Sequence, residues 1–66
     1  MDIVVKQDGR TFTFTVPVTG EEQVHTAPDS IWNTRGTKPE MKAQVARRWF
    51  IEFVCYDSGF SPKFED

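Results

Sequence analysis

The sequence predicts an α+β fold in which an N-terminal antiparallel β-hairpin packs on one long C-terminal α-helix, in the order ββα. Two observations carry this prediction. Residues 11–18 alternate between apolar and polar side chains, which is the period of a half-buried strand. Residues 38–56 repeat their apolar side chains every three or four positions, which is the period of a helix.

The predicted hairpin covers residues 2–18. Asp8-Gly9 separates two segments rich in β-branched and aromatic residues, and this dipeptide favours a two-residue type I′ turn. Pairing around that turn gives one apolar face and one face rich in threonine, so the turn and the alternation agree. The predicted apolar face contains Ile3, Val5, Phe12, Phe14, Val16 and Val18, with Val5 opposite Phe12 and Ile3 opposite Phe14.

Residues 19–37 are predicted to be an irregular connection. The segment contains several turn signals and few large apolar residues, among which Ile31 and Trp32 are the expected anchors. A short strand or helical turn near residues 22–25 is the alternative for part of it.

The predicted helix covers residues 38–57. Thr37 and Glu40 have the spacing of a capping box, and Gly59 is suited to the left-handed conformation that ends many helices. Pro39 disfavours helical geometry in the residue before it, which conflicts with Lys38 as the first helical residue. Residues 60–66 are predicted to be a frayed tail.

A β-strand is the alternative prediction for the second half of this helix. Residues Trp49–Tyr56 are dense in aromatic and β-branched side chains, which favours a third strand and a ββαβ order. The helical prediction is preferred because the apolar rows continue through the segment without a turn residue.

Composition limits how the chain is stabilised. The 66 residues predict a single small domain with a limited core. One cysteine and one histidine exclude a disulfide within the chain and a Cys/His zinc cluster. A second copy of the chain or a different protein is therefore the expected source of further stability.

The sequence predicts a soluble cytoplasmic protein. A lone cysteine within an apolar run fits a reducing compartment. The sequence shows neither a signal-peptide pattern nor an apolar run long enough for a membrane span.

No catalytic constellation is visible, so the chain is predicted not to be an enzyme. Cys55 lies among apolar residues, which favours a buried structural thiol over a nucleophile paired with His25. Adjacent Glu21 and Glu22 fit a solvated loop. No catalytic residue, cofactor, metal site or small-molecule substrate is predicted.

The helix carries more apolar surface than one hairpin can cover, and this surplus predicts a protein partner or a second copy of the chain. The function expected is that of a small interaction module of the inhibitor or adaptor type, such as a counter-defence inhibitor among phage or mobile-element accessory proteins. The alternative is a small nucleic-acid-binding or regulatory protein that uses four basic residues, Arg35, Lys42, Arg47 and Arg48. The predicted partner-binding residues are Arg35, Lys42, Arg47, Arg48 and Ile51.

Overall fold

The structure, a computed structural model, describes residues 1–65. Four strands form one mixed sheet in the order β3-β2-β1-β4, in which β4 is parallel to β1 and the other pairs are antiparallel. A long helix packs on one face of the sheet. The α+β class is confirmed, but the ββα order omits two strands and a short helix. The elements are β1 (Asp2–Asp8), β2 (Thr11–Thr15), β3 (Glu22–Thr26), α1 (Asp29–Trp32), the long helix (residues 39–58) and β4 (Ser61–Glu65).

The β1–β2 hairpin forms with a different register from the predicted one. Val5 lies opposite Phe14 and Asp8 lies opposite Thr11, so the turn residues are Gly9 and Arg10. Gly9 has a φ of 61°, whereas Arg10 has a negative φ, since only glycines among the described residues have a positive one. A positive φ at the first turn residue alone is the pattern of a type II′ turn. The predicted register differs by two residues along the partner strand. Because side chains alternate with period two, this error leaves every side chain on its predicted face.

The predicted irregular connection is wrong between residues 22 and 26, where β3 pairs with β2. The short strand considered as an alternative is the correct description. The predicted hairpin also ends early, because β2 stops at Thr15 and the chain turns back between Val16 and Glu21. Val18 lies in this turn and is 77% exposed, so it does not belong to the apolar face.

The short helix α1 closes one end of the sheet. Ile31 and Trp32 are half-buried and pack against the core, as the sequence predicts. Arg10 fixes α1 to the hairpin turn, because its Nε donates to the carbonyl oxygen of Ala27 at 3.0 Å and its Nη2 lies 2.6 Å from Oδ1 of Asp29.

The long helix confirms the predicted C-terminal helix and contradicts a third strand at Trp49–Tyr56. It begins at Pro39 with a 3₁₀ turn, and Lys38 has the extended ψ of 147° that a residue before proline favours. The predicted capping box does not form, since no side chain of residues 1–65 is hydrogen-bonded as a cap to this turn.

The helix ends as the sequence predicts, but the tail that follows is ordered. Gly59 has a φ of 71°, and the Phe60 N–H donates to the Cys55 carbonyl oxygen at 2.9 Å, which completes a Schellman motif. The chain then forms β4, so the predicted frayed tail is wrong over Ser61–Glu65. Asp66, the last residue of that tail, lies outside the described residues.

The core lies between the long helix and the inner face of the sheet. Phe50 stacks on Phe12 with 4.5 Å between ring centroids, and both side chains are fully buried. Phe64 of β4 meets both rings edge-on. β3 and β4 thus widen the sheet and cover part of the apolar surface that was predicted to need a partner. In the described part of the chain, no helix has both the length and the apolar content needed to cross a bilayer.

Candidate protein-interaction surface

The outer side of the long helix, away from the sheet, presents exposed aromatic and aliphatic side chains. Tyr56 is 83% exposed, Phe53 is 62% exposed and Ile51 is 40% exposed. These residues lie within two turns of one another, beside an exposed ion pair. We call this region the helix surface, and it consists of Arg48, Ile51, Glu52, Phe53 and Tyr56.

A π turn over Ile51–Cys55 determines which side chains reach the helix surface. The Tyr56 N–H bonds to the carbonyl oxygen of Ile51, five residues earlier. The buried positions are Ala46, Phe50 and Cys55, so their spacing changes from four residues to five at this turn. The wider turn keeps Cys55 in the core and brings Ile51 and Tyr56 close together on the outer side. Such turns occur frequently at functional sites.

Arg48 and Glu52 form an ion pair at the centre of the helix surface. Nε of Arg48 lies 3.1 Å from Oε1 of Glu52, and the two side chains are 80% and 53% exposed. An exposed pair at this spacing contributes little to stability. Both charges are therefore accessible to a partner, and Arg48 and Ile51 are the two predicted partner-binding residues that lie on this surface.

Arg47 lies on the other side of the helix and joins it to the sheet. Its Nε donates to Oε1 of Gln7 at 2.8 Å, and its guanidinium lies 4.1 Å from the ring centroid of Phe64. Nε2 of Gln7 donates in turn to the carbonyl oxygen of Ala43 at 2.9 Å. Arg47, predicted as a partner-binding residue, therefore has a structural role in the packing of helix on sheet.

Lys42 and Arg35 lie away from the helix surface. The Lys42 ammonium is 5.5 Å from the ring centroid of Trp32 and 3.4 Å from Oδ1 of Asn33, so it contributes to the packing of α1. Arg35 is exposed in the loop before the long helix. The four basic residues thus point to different parts of the molecule, and the structure does not bring them together as one cationic surface.

The groups with the most reactive chemistry are engaged in packing. Cys55 is fully buried, and desolvation raises the pKa of its thiol, which disfavours the nucleophilic thiolate. The His25 ring stacks on Phe14 at 5.7 Å, and its Nε2 lies 3.0 Å from Oε1 of Gln23. Among residues 1–65, no group of three or more His, Cys, Asp or Glu side chains is placed to hold a metal ion.

The outer face of the sheet offers no enclosed cavity for a small molecule in the described part of the chain. A depression of about 500 Å³ there is wide open to solvent and is lined by charged and polar residues. Ligand sites are usually concave, mostly apolar and largely closed around the ligand. Its lining residues are Lys6, Gln7, Asp8, Thr13 and Glu65.

Glu52, Phe53 and Tyr56 are the members of the helix surface that the prediction of partner-binding residues missed. A uniform helical period places Phe53 in an apolar row with Trp49, and such a row indicates burial. The single sequence carries no clear signal for the π turn, although Gly59 three residues after Tyr56 marks the helix end, where exposure is common.

Comparison of the chain with protein-family models, with curated proteins and with solved structures found no match. The assignment of a function therefore depends on the helix surface and on the chemistry of its side chains.

Proposed function

We propose that this chain is a small non-enzymatic interaction module that binds a partner protein through the helix surface and acts as an inhibitor or adaptor. The observation that carries the proposal is the exposure of Tyr56, Phe53 and Ile51 on a helix whose opposite side builds the core. Isolated apolar side chains are common on protein surfaces, whereas Tyr56 lies one helical turn from Phe53 and one π turn from Ile51, so the three together form a patch suited to an interface.

The residue types of the helix surface support this function. Aromatic residues and arginine are enriched at the energetic centres of interfaces. Tyr56 supplies a large apolar ring with a hydroxyl that is able to remain hydrated at the rim. Arg48 supplies directional hydrogen bonding. Breaking its exposed ion pair with Glu52 on binding costs little free energy.

The expected binding mode is a helix lying along an apolar groove of the partner. In this mode, side chains on successive turns act as anchors. Ile51 and Tyr56 are separated by one π turn and lie on adjacent parts of the helix surface, so a single groove accommodates both. The sheet behind the helix holds these anchors in place, which lowers the entropy lost on binding.

A capture experiment with a matched control tests the proposal. Tyr56→Ser removes the most exposed ring of the helix surface, and Val18→Ser removes an apolar side chain that is 77% exposed in the β2–β3 turn. We expect Tyr56→Ser to weaken binding of the captured protein by about 1–2 kcal/mol, roughly five- to thirtyfold, because truncating an aromatic side chain in an interface commonly costs this much. Val18→Ser should bind like the unmodified chain.

Titration of the identified partner by calorimetry measures this difference, and circular dichroism confirms that both variants fold. Equal affinity of the two variants would rule out the helix surface as the binding site. Recovery of nucleic acid alone would instead favour the nucleic-acid alternative.

A further inference from the structure

The two edges of the sheet differ in the main-chain groups that they offer. At the β4 edge, the Ser61 N–H donates to the Met1 carbonyl oxygen at 2.7 Å, so Ser61 directs its main chain toward β1. Every second residue of a strand does the same, which leaves Pro62 and Phe64 directed at the outer edge. Proline has no N–H to offer, and a proline on an edge strand hinders pairing with a further strand.

The β3 edge is open. The Val16 N–H donates to the Glu21 carbonyl oxygen and the Ala27 N–H donates to the Arg10 carbonyl oxygen, each at 2.8 Å. The alternation of an antiparallel ladder between these two bonds directs the main chain of residues 23 and 25 toward β2. The N–H and C=O groups of Glu22, Val24 and Thr26 therefore face outward, and no strand within residues 1–65 pairs with them.

β3 lacks the proline, the lysine and the bulge by which many edge strands avoid association. Its sequence, EQVHT, contains neither proline nor lysine, and its register with β2 runs without a bulge. Its central side chain, Val24, is apolar and 59% exposed on the outer face of the sheet. Such an edge is a template for another strand.

We propose that the β3 edge is a homodimer interface, in which β3 of a second copy of this chain pairs antiparallel with Val24 opposite Val24 of the partner. This register forms a hydrogen-bonded pair at each outward-facing residue, since Glu22 then lies opposite Thr26 of the partner. The dimer has one continuous eight-stranded sheet, with both long helices on the same face. The proposal is independent of the helix surface and goes beyond the proposed function.

The side chains of β3 make this register self-complementary. On the outer face, the two copies of Val24 meet at the symmetry axis, and each Glu22 carboxylate faces a threonine hydroxyl. On the inner face, Gln23 lies opposite His25 of the partner, and these groups already bond to each other within one chain at 3.0 Å. No like charges lie opposite each other. An antiparallel register with Glu22 opposite Glu22 of the partner would place two carboxylates together, which is unfavourable.

Other antiparallel registers form fewer hydrogen-bonded pairs within the strand. Any shift from the Val24-centred register moves at least one of the three outward-facing residues past the end of the partner's β3. A second copy is thus the strand that fits this edge best in both hydrogen bonding and charge. Dimerisation also supplies the additional buried surface that chains of this length commonly need.

The decisive variants change Val24. Val24→Glu places two carboxylates at the symmetry axis, and Val24→Pro removes the central outward N–H without removing a bond to β2. The matched control is Val4→Glu, because Val4 is 58% exposed on the same face but lies on the inner strand β1, opposite Lys63. Sedimentation equilibrium of the full chain from micromolar to millimolar concentration measures the dimer dissociation constant.

We expect the unmodified chain and Val4→Glu to dimerise with similar dissociation constants. Val24→Glu should raise the dissociation constant by about tenfold or more, because like charges directly opposite disfavour pairing. Val24→Pro should be monomeric. A monomer at all concentrations for the unmodified chain, or a dimer that persists in both Val24 variants, would overturn the proposal.

Amide hydrogen exchange on the unmodified chain tests the same interface without a substitution. We expect the amides of Glu22, Val24 and Thr26 to be protected at high concentration and to exchange rapidly on dilution. The amides of residues 23 and 25 face β2 and should stay protected throughout. A dimer in which the three outward amides remain unprotected, or protection that arises only when a different protein is added, would overturn the proposal. Neither result bears on the function proposed for the helix surface, which the capture experiment tests separately.

Discussion

At the scale of single residues, Phe50 and Phe53 show how three positions along one helix separate core from surface. Phe50 is fully buried against Phe12, whereas Phe53 is 62% exposed. We expect Phe50→Ala to lower the free energy of unfolding by about 3–5 kcal/mol, which is roughly the whole stability available to a chain this short. The variant should therefore be largely unfolded in a thermal melt followed by circular dichroism.

Phe53→Ala is the control for this prediction. Its removal exposes little that was buried, so the free energy of unfolding should change by less than about 1 kcal/mol. Equal losses for the two variants would mean that the helix is rotated relative to the sheet from the arrangement described.

Arg47 has a structural role that its neighbours in the sequence do not reveal. Its neighbour Arg48 has the same side chain, and the two lie together between the apolar residues Ala46 and Trp49. Arg47 contacts Gln7 and Phe64, which are far from it along the chain, whereas Arg48 pairs with Glu52 on the next turn. The pair of Arg48 with Glu52 follows from their i, i+4 spacing on one helix, whereas the structural role of Arg47 depends on residues brought together by folding.

At the scale of elements, the Schellman motif at the end of the long helix sets the direction of β4. Gly59 has a φ of 71°, and a Cβ at this position would meet no atom of the described residues within 4 Å, apart from those of Gly59 itself and its two chain neighbours. Its substitution therefore tests backbone strain without a steric clash. We expect Gly59→Ala to lower the free energy of unfolding by about 1 kcal/mol, and Gly59→Asn to cost less because asparagine tolerates the left-handed region better.

Urea denaturation of the full chain measures these differences. Ser58→Ala is the matched control, since Ser58 is exposed, precedes Gly59 and ends the helix with an ordinary helical backbone. Stability unchanged by Gly59→Ala would contradict the left-handed cap.

β3 and β4 are the elements that the sequence prediction did not identify as parts of the sheet. β4 has an alternating pattern, with Pro62 and Phe64 half-buried between exposed polar residues, but five residues containing a proline at a chain end also resemble a frayed tail. β3 has a single large apolar residue, and that residue faces outward. Both strands are stabilised mainly by their neighbours in the sheet, because their own sequences have weak β-propensity.

At the scale of the whole molecule, β4 pairs with β1 and so holds the C-terminal strand beside the N-terminal strand. It pairs along β1 and brings Phe60 and Phe64 onto the core, where the Phe60 ring lies 5.4 Å from Phe14. We expect deletion of residues 60–66 to abolish cooperative unfolding, because it uncovers one side of the core and leaves β1 at a new edge of the sheet.

The control for this deletion is Lys63→Ala, which changes an exposed side chain of the same strand and should unfold like the unmodified chain. Near-ultraviolet circular dichroism and a urea titration distinguish the outcomes. Full stability of the truncated chain would mean that residues 60–66 contribute nothing to the fold, as expected of the frayed tail predicted from the sequence.

The sequence by itself determined the features that depend on local patterns. The strand period fixed the buried face of the hairpin, the apolar rows fixed the long helix, and Gly59 fixed its end. These features follow from alternation, helical spacing and backbone conformation, which involve residues close in the chain. Even the error in hairpin register left the buried face unchanged, because it amounted to two residues.

Only the tertiary structure decided the features that depend on distant residues. The parallel pairing of β4 with β1 joins segments nearly the length of the chain apart, and the pairing of β3 depends on the edge that β2 offers. The π turn keeps Cys55 in the core and places Tyr56 outside, so the composition of the helix surface depends on packing against the sheet. The apolar excess of Lys38–Tyr56 was visible in the sequence, but which part of it stays exposed depends on how four strands cover the helix.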